Sequence, residues 1–213
     1  MQSKTFTTLF AAAAAFGAIL LIPVTQAHAQ APTAPAPLAG TWTVDPAHTS
    51  VNFTISHLGI SEVNGRFDTV AGTIVADPSD LSKSSVQFTI QVASVNTNMP
   101  YRDTDLKSDK YFDAATYPTI TFQSTKIVKV TGGYHALGNL TIHGVTKLVS
   151  IPFQIAGPIL AMGQSRIGVV LHTTVNRVDY GVGGNDTISD GSFAIGQDAT
   201  VDISLEATPA KAS

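Results

Sequence analysis

Apolar and polar residues alternate along most of this chain. Val51, Phe53 and Ile55 alternate with Asn52, Thr54 and Ser56. Val86, Phe88, Ile90 and Val92 alternate with Gln87, Thr89 and Gln91. The runs Val149-Ile151-Phe153-Ile155, Ile167-Val169-Leu171 and Val201-Ile203-Leu205 repeat the pattern. Successive side chains of a strand point to opposite faces, so each run has one apolar and one polar face. Almost no segment carries a long 3.6-residue period. The pattern predicts an all-β, antiparallel structure with an apolar interior. Strands are expected near 41–44, 49–58, 64–76, 84–96, 117–130, 134–143, 145–156, 165–176 and 198–207. Turn signals separate them at Asp45-Pro46, Asp77 to Asp80, Gly132-Gly133, His143-Gly144, Gly157-Pro158 and Gly181 to Gly191. Gly65 and Gly72 interrupt one run and are expected to mark bulges or bends. Eight or nine strands at this spacing fit a closed barrel or a sandwich.

One segment breaks the alternation. Met99 to Asp113 is polar and rich in charge. Pro100 and an N-cap at Asp103 or Thr104 predict one or two short helical turns, with Leu106 and Phe112 as apolar anchors. Pro118 pushes Tyr117 into an extended conformation, so a strand starts there.

The first residues read as a leader rather than as part of the fold. Lys4 precedes an apolar run from Leu9 to Ile22, and Ala27-His28-Ala29 is a small-x-small cleavage site before Gln30. The expected organisation is a signal peptide over 1–29, a flexible Ala/Pro-rich lead-in over 30–40, a domain over 41–207 and a tail over 208–213. This predicts a periplasmic or secreted protein. The chain has no cysteine, so neither disulfides nor a lipid anchor through cysteine can form. The formal net charge is -3 and only 13% of residues are charged. Such a balance offers no broad electrostatic footprint for nucleic acid.

Candidate chemistry is sparse. His48, His57, His135, His143 and His172 are scattered, with no metal-ligand spacing, so no metal and no cofactor is expected. No Gly-x-Ser-x-Gly elbow and no cysteine nucleophile is present, so no catalytic residue is assigned and a non-enzyme is expected. Arg102, Asp103 and Asp105 read as a solvated helix surface. Parity places the apolar members of the runs inside: Val51, Phe53, Ile55, Phe67, Val86, Phe88, Ile90, Phe122, Phe153, Ile167, Val169 and Leu171. It also carries His57, Arg177 and Asp179 inward at strand ends. An apolar pocket with a few convergent polar groups is the usual form of a small-molecule site. The alternative is that Arg177 and Asp179 pair with each other and that His57 caps a carbonyl.

Five stretches in order resemble the YceI-like family of exported, lipocalin-like proteins. They are Trp42 to Gly59 with Val63-Asn-Gly-Arg-Phe67, then Leu106 to Asp113, Tyr117 to Phe122, Gly138 to Lys147, and Asn176-Arg-Val-Asp-Tyr-Gly181. Tyr180 departs from the Phe that often stands there. The resemblance implies an extended eight-stranded antiparallel barrel with a short helical segment near residues 100–113. It implies a polyisoprenoid, fatty-acyl or quinone-like amphiphile inside the barrel. His57, Arg177 and Asp179 are then the head-group candidates. It also allows a membrane b-type cytochrome partner and a homodimer. Two other readings stay open from the residues: a structural or interaction module whose barrel is packed solid, and an enzyme acting on the bound lipid.

Overall fold

The computed structural model describes residues 38–184 and 186–211. The expected leader and most of the lead-in lie outside the described residues. Ten strand segments follow one another: β1 (Gly40–His57), β2 (Ser61–Phe67), β3 (Val70–Ala76), β4 (Ser85–Gln91), β5 (Val95–Asn96), β6 (Thr119–Val130), β7 (Gly133–Ile142), β8 (Val145–Ala161), β9 (Gln164–Asn176) and β10 (Ile195–Pro209). One helix, α1 (Pro100–Lys107), lies between β5 and β6.

All pairings are antiparallel, and the first and last strands close the sheet. β1 pairs with β10 from Trp42↔Pro209 to His57↔Ile195. On its other side, the start of β1 pairs with β3 and its end with β2. β2 with β3 occupies one strand position, and β4 with β5 another, so the ten segments form an eight-stranded barrel. Strands run alternately up and down. One end, here the upper, carries the β1–β2 turn, the segment from Thr97 to Pro118 with α1, the His143-Gly144 turn and the loop after β9. The lower end carries both termini of the domain, the Asp77–Ser84 connection, and the β6–β7 and β8–β9 turns.

The alternation expected from sequence holds within strands and fails at irregularities. The segments expected at 41–44 and 49–58 are one strand, β1, with a register shift between Asp45 and Ser50 instead of a break. Gly157-Pro158 is not a turn. It lies inside β8, at a register shift between Ala156 and Ile159, and the chain reverses at Met162-Gly163. Both of those residues have positive φ, 51° and 74°, as in the twisted two-residue turn that suits a hairpin. Gly65 and Gly72 do not mark bulges. Gly65 faces Phe53 and Gly72 faces Phe88 across the ladder, and each leaves room for the ring. The N-cap of α1 is Met99, not Asp103 or Thr104, with Pro100 in the first turn. Asp103 instead turns back: its carboxylate accepts hydrogen bonds from the Thr97 backbone N–H at 2.8 Å and hydroxyl at 2.6 Å.

The core is the inner face of the wall. At the lower end the register places Val44 beside Ala207, and Ala207 beside Ile167. Trp42, Ile167 and Ala207 are almost completely buried and pack that side of the barrel solid. Burying a side chain of the size of isoleucine stabilises by roughly 1.5–3 kcal/mol, so this floor is a substantial anchor.

Gly138 gives a sharp test of the wall. A Cβ there would strike the backbone of β6, including Ser124 Cα at 2.7 Å, whereas a Cβ on Gly168 meets nothing nearer than 3.9 Å. Gly138→Ala is expected to lower the unfolding free energy by about 1–3 kcal/mol or more, from overpacking against a rigid neighbour. Gly168→Ala should stay near the parent in the same urea titration.

Candidate functional site

The barrel is not filled. Above the floor lies a cavity of about 700 Å³. That volume is within the roughly 300–1,000 Å³ typical of small-molecule sites. Inward side chains from every strand position make its wall. Val51, Phe53, Ile55, His57, Phe67, Val86, Phe88, Ile90, Phe122, Phe153, Val169 and Leu171 all border it, as parity requires. Ile167 does not. It belongs to the packed floor with Trp42 and Ala207.

The wall is apolar along its middle and polar at its upper end. Phe53 and Phe67 lie with ring centroids 5.7 Å apart, and Phe67 meets Phe112 edge-on at 5.9 Å. Phe112 and Leu106 are thus the apolar anchors expected of the helical segment. The same segment brings Tyr101, Arg102, Asp105 and Tyr111 to the cavity. These were missed in the sequence because the segment has no period that fixes which way a side chain points. Arg102 is not the solvated surface residue that the sequence suggests. In the structure its Nε donates to the Thr97 hydroxyl at 2.7 Å and its Nη2 to the Thr97 carbonyl at 2.9 Å. The buried Thr97 therefore ties α1 to β5. At the lower end the cavity is bordered by Leu38, Ile74, Pro78 and Leu81.

Arg177 reaches the upper end of the cavity as expected, but its donors are largely engaged. Nε donates to the Gly196 carbonyl at 2.8 Å and Nη2 to that of Ile195 at 3.0 Å. Nη1 donates to the carbonyls of Val182 at 2.7 Å and Gly184 at 3.1 Å. Four of its five N–H groups are therefore used by backbone. No carboxylate forms a salt bridge with it among the described residues. Burial lowers the Arg177 guanidinium from its ordinary pKa, while Tyr111 and Asp186 act the other way. An arginine stays charged under such shifts, so the site holds a buried positive charge balanced mainly by carbonyl dipoles. Tyr111 packs beside it, close to Gly183.

Asp179 is not at the cavity. β9 ends at Asn176, and Val178–Tyr180 form a 3-10 turn, so the period of two stops before Asp179. Its carboxylate faces outward and pairs with Lys147 at 3.0 Å. The Arg177–Asp179 pair does not form either. His57 sits at the exposed rim of the cavity, just past a register shift on the β10 side. Burial pushes the Tyr180 hydroxyl above its usual range. Away from the cavity, Asp45, His48 and Glu206 come close enough to share one ion. Arg166 Nη1 already bridges Asp45 at 3.5 Å and Glu206 at 3.1 Å, so that cluster is an ion-pair network.

The two upper-end residues should part company on mutation. Arg177→Met is expected to cost at least about 2 kcal/mol and to open the Gly181–Ala194 loop to proteolysis, because charged hydrogen bonds to buried carbonyls are lost. Asp179→Asn should change stability by no more than about 0.5 kcal/mol, as befits an exposed ion pair.

Comparison with known proteins agrees with this architecture. The model of the YceI-like domain matches residues 42–207. A UPF0312 protein of Vibrio parahaemolyticus is 36% identical over 141 residues, covering 64% of this chain and 73% of its own. One from Staphylococcus aureus is 31% identical over 167 residues, covering 78% and 95%. The crystal structure of a Campylobacter jejuni YCEI protein is 31% identical, with a TM-score of 0.62 over 74% of this chain and 91% of that one. Burkholderia cenocepacia BcnA shares the fold at 23% identity and a TM-score of 0.67, covering 76% and 98%. A polyisoprenoid binding domain from Saccharophagus degradans shares it at 19% identity and a TM-score of 0.57, covering 79% and 98%. With a family model that spans nearly all of the described barrel, the chain belongs to the YceI-like family.

Proposed function

We propose that this protein is a non-enzymatic periplasmic carrier for a long-chain amphiphile of the polyisoprenoid or fatty-acyl type, a quinone-like tail included. The observation that carries the reading is the open apolar cavity of about 700 Å³ inside a closed barrel. A protein whose barrel served only as a scaffold gains stability by filling that space, since interiors otherwise pack as densely as organic crystals. The fold shared with a polyisoprenoid binding domain supports the same ligand class. The apolar run Leu9 to Ile22 before Ala27-His28-Ala29 supports export.

Magnitudes favour a tail-dominated binder. Burying ~10 methylenes at about 0.8 kcal/mol each contributes roughly 8 kcal/mol before ordering is counted. That gross value corresponds to about micromolar affinity, and longer tails add to it. The tail lies against Phe53, Phe67, Phe88 and Val169, and the head group lies at the upper end. There His57, Arg102, Tyr111 and Arg177 select it. The unpaired positive charge of Arg177 favours a phosphate or carboxylate head through its field and its remaining N–H, not through a two-toothed grip.

Native mass spectrometry of the protein purified from its own compartment, with lipid analysis of the organic extract, tests the assignment. A stoichiometric adduct with a long apolar tail is expected; a ligand-free mass with no uptake of added isoprenoid or fatty-acyl compounds contradicts it. Val169→Trp should abolish uptake while lowering stability by no more than about 1–3 kcal/mol, because the ring enters open space. His57→Ala and Arg102→Gln should reduce the preference for charged over neutral heads at equal tail length. An unchanged preference in both variants removes these residues from the head-group site.

A further inference from the structure

The packed floor closes only one side of the lower end. Trp42, Ile167 and Ala207 stand on β1, β9 and β10. On the other side the cavity runs down to Pro78, Leu81, Val86 and Ile127. There the wall itself is incomplete. β3 and β4 stay paired down to Val75↔Ser85, but the ladder between β4 and β6 stops at Gln87↔Gln123. One further tie follows, from the Val86 backbone N–H to the Ser124 hydroxyl at 2.7 Å. Below it, β6 from Lys126 to Val130 pairs with β7 alone among the described residues.

The connection between β3 and β4 covers this gap in place of a strand. Its 3-10 turn, Leu81–Lys83, packs beside β6. Its hydrogen bonds are its own. The Asp77 carboxylate accepts from the Ser79 N–H at 2.9 Å and hydroxyl at 2.6 Å, and from the Asp80 N–H at 3.0 Å. Asp80 caps the turn by accepting from the Ser82 N–H at 3.0 Å, and the Ser84 hydroxyl accepts from the Asp77 N–H at 3.0 Å. No hydrogen bond from Asp77–Ser84 reaches β6 among the described residues. Apolar contact alone holds the connection there, with Leu81 half-buried and Ile127 of β6 buried. A segment that is internally stabilised and joined to its neighbour without hydrogen bonds opens locally at low cost.

We propose that the far end of the bound tail leaves the barrel through this gap, under Leu81, with the Asp77–Ser84 connection as the flap that lets it pass. The inference rests on the proposed function, which puts the head group at the upper end and therefore the end of the tail at the lower. A tail longer than the cavity is then accepted with its surplus outside the barrel. One head-group site serves chains of different length, and Leu81 is the residue that the tail passes.

The absence of cysteine from the chain makes the test direct. Leu81→Cys and Lys83→Cys, the second exposed on the same turn and away from the cavity, are each treated with a fatty acid that carries a methanethiosulfonate group at its far end. Each labelling rate is divided by that of a tailless methanethiosulfonate, which corrects for accessibility. The tail is expected to raise the ratio at 81 by about tenfold or more over that at 83, because binding concentrates the reactive end there. A fatty acid with a nitroxide at its far end reports emergence from the parent protein. A short tail should shield the nitroxide from ascorbate, and a tail longer than the cavity should leave it as reducible as in free solution. Bound probe with equal ratios at 81 and 83, or a nitroxide shielded at every tail length, overturns the exit and leaves the carrier reading standing. A native mass without bound probe overturns both.

Discussion

Closure of the sheet by β1 against β10 is the constraint on which the rest depends. Once the first and last strands pair, every inward side chain must share one enclosed volume, and the ladder's hydrogen bonds are satisfied without a long free edge. The size of that volume is set by strand number, not by the side chains available to fill it. Here the aromatic and branched residues fill the floor around Trp42, Ile167 and Ala207 but leave about 700 Å³ above it. The glycines at 65 and 72 serve the same geometry, since each accommodates a phenylalanine ring that forms part of the cavity wall.

The same closure explains how polar groups are managed. A cation inside an apolar barrel is expensive unless it is hydrogen-bonded. Arg177 meets that demand with carbonyls of the loop that follows β9 and of the first residues of β10, and Arg102 with Thr97. Both therefore stabilise the segments that cap the upper end while bringing positive charge to the cavity. The apolar middle of the wall and this capped, charged end match the two parts of an amphiphile.

The fold was legible because a half-buried strand writes its two faces into alternate residues. Twelve of the thirteen wall residues expected from sequence border the cavity, His57 among them. The exception, Ile167, faces inward as parity demands, but no sequence pattern distinguishes a packed inward residue from one that borders a void. Asp179 failed for a different reason: the strand stops at Asn176, and parity cannot be carried through a 3-10 turn. Arg102 and Tyr111 were invisible because they come from irregular chain whose side-chain directions are decided by tertiary hydrogen bonds such as those at Thr97. The Gly157-Pro158 signal pointed to a turn, yet the sheet absorbs it as a register shift and reverses later.

On the proposed function, the cavity binds by enclosing an apolar tail. Titration calorimetry with a series of ligands that share one head group and differ only in tail length tests it most directly. Affinity is expected to rise about fourfold with each added methylene, in line with about 0.8 kcal/mol per group, until the tail fills the barrel and the gain levels off. Affinity independent of tail length contradicts it, because no apolar enclosure would then contribute to binding.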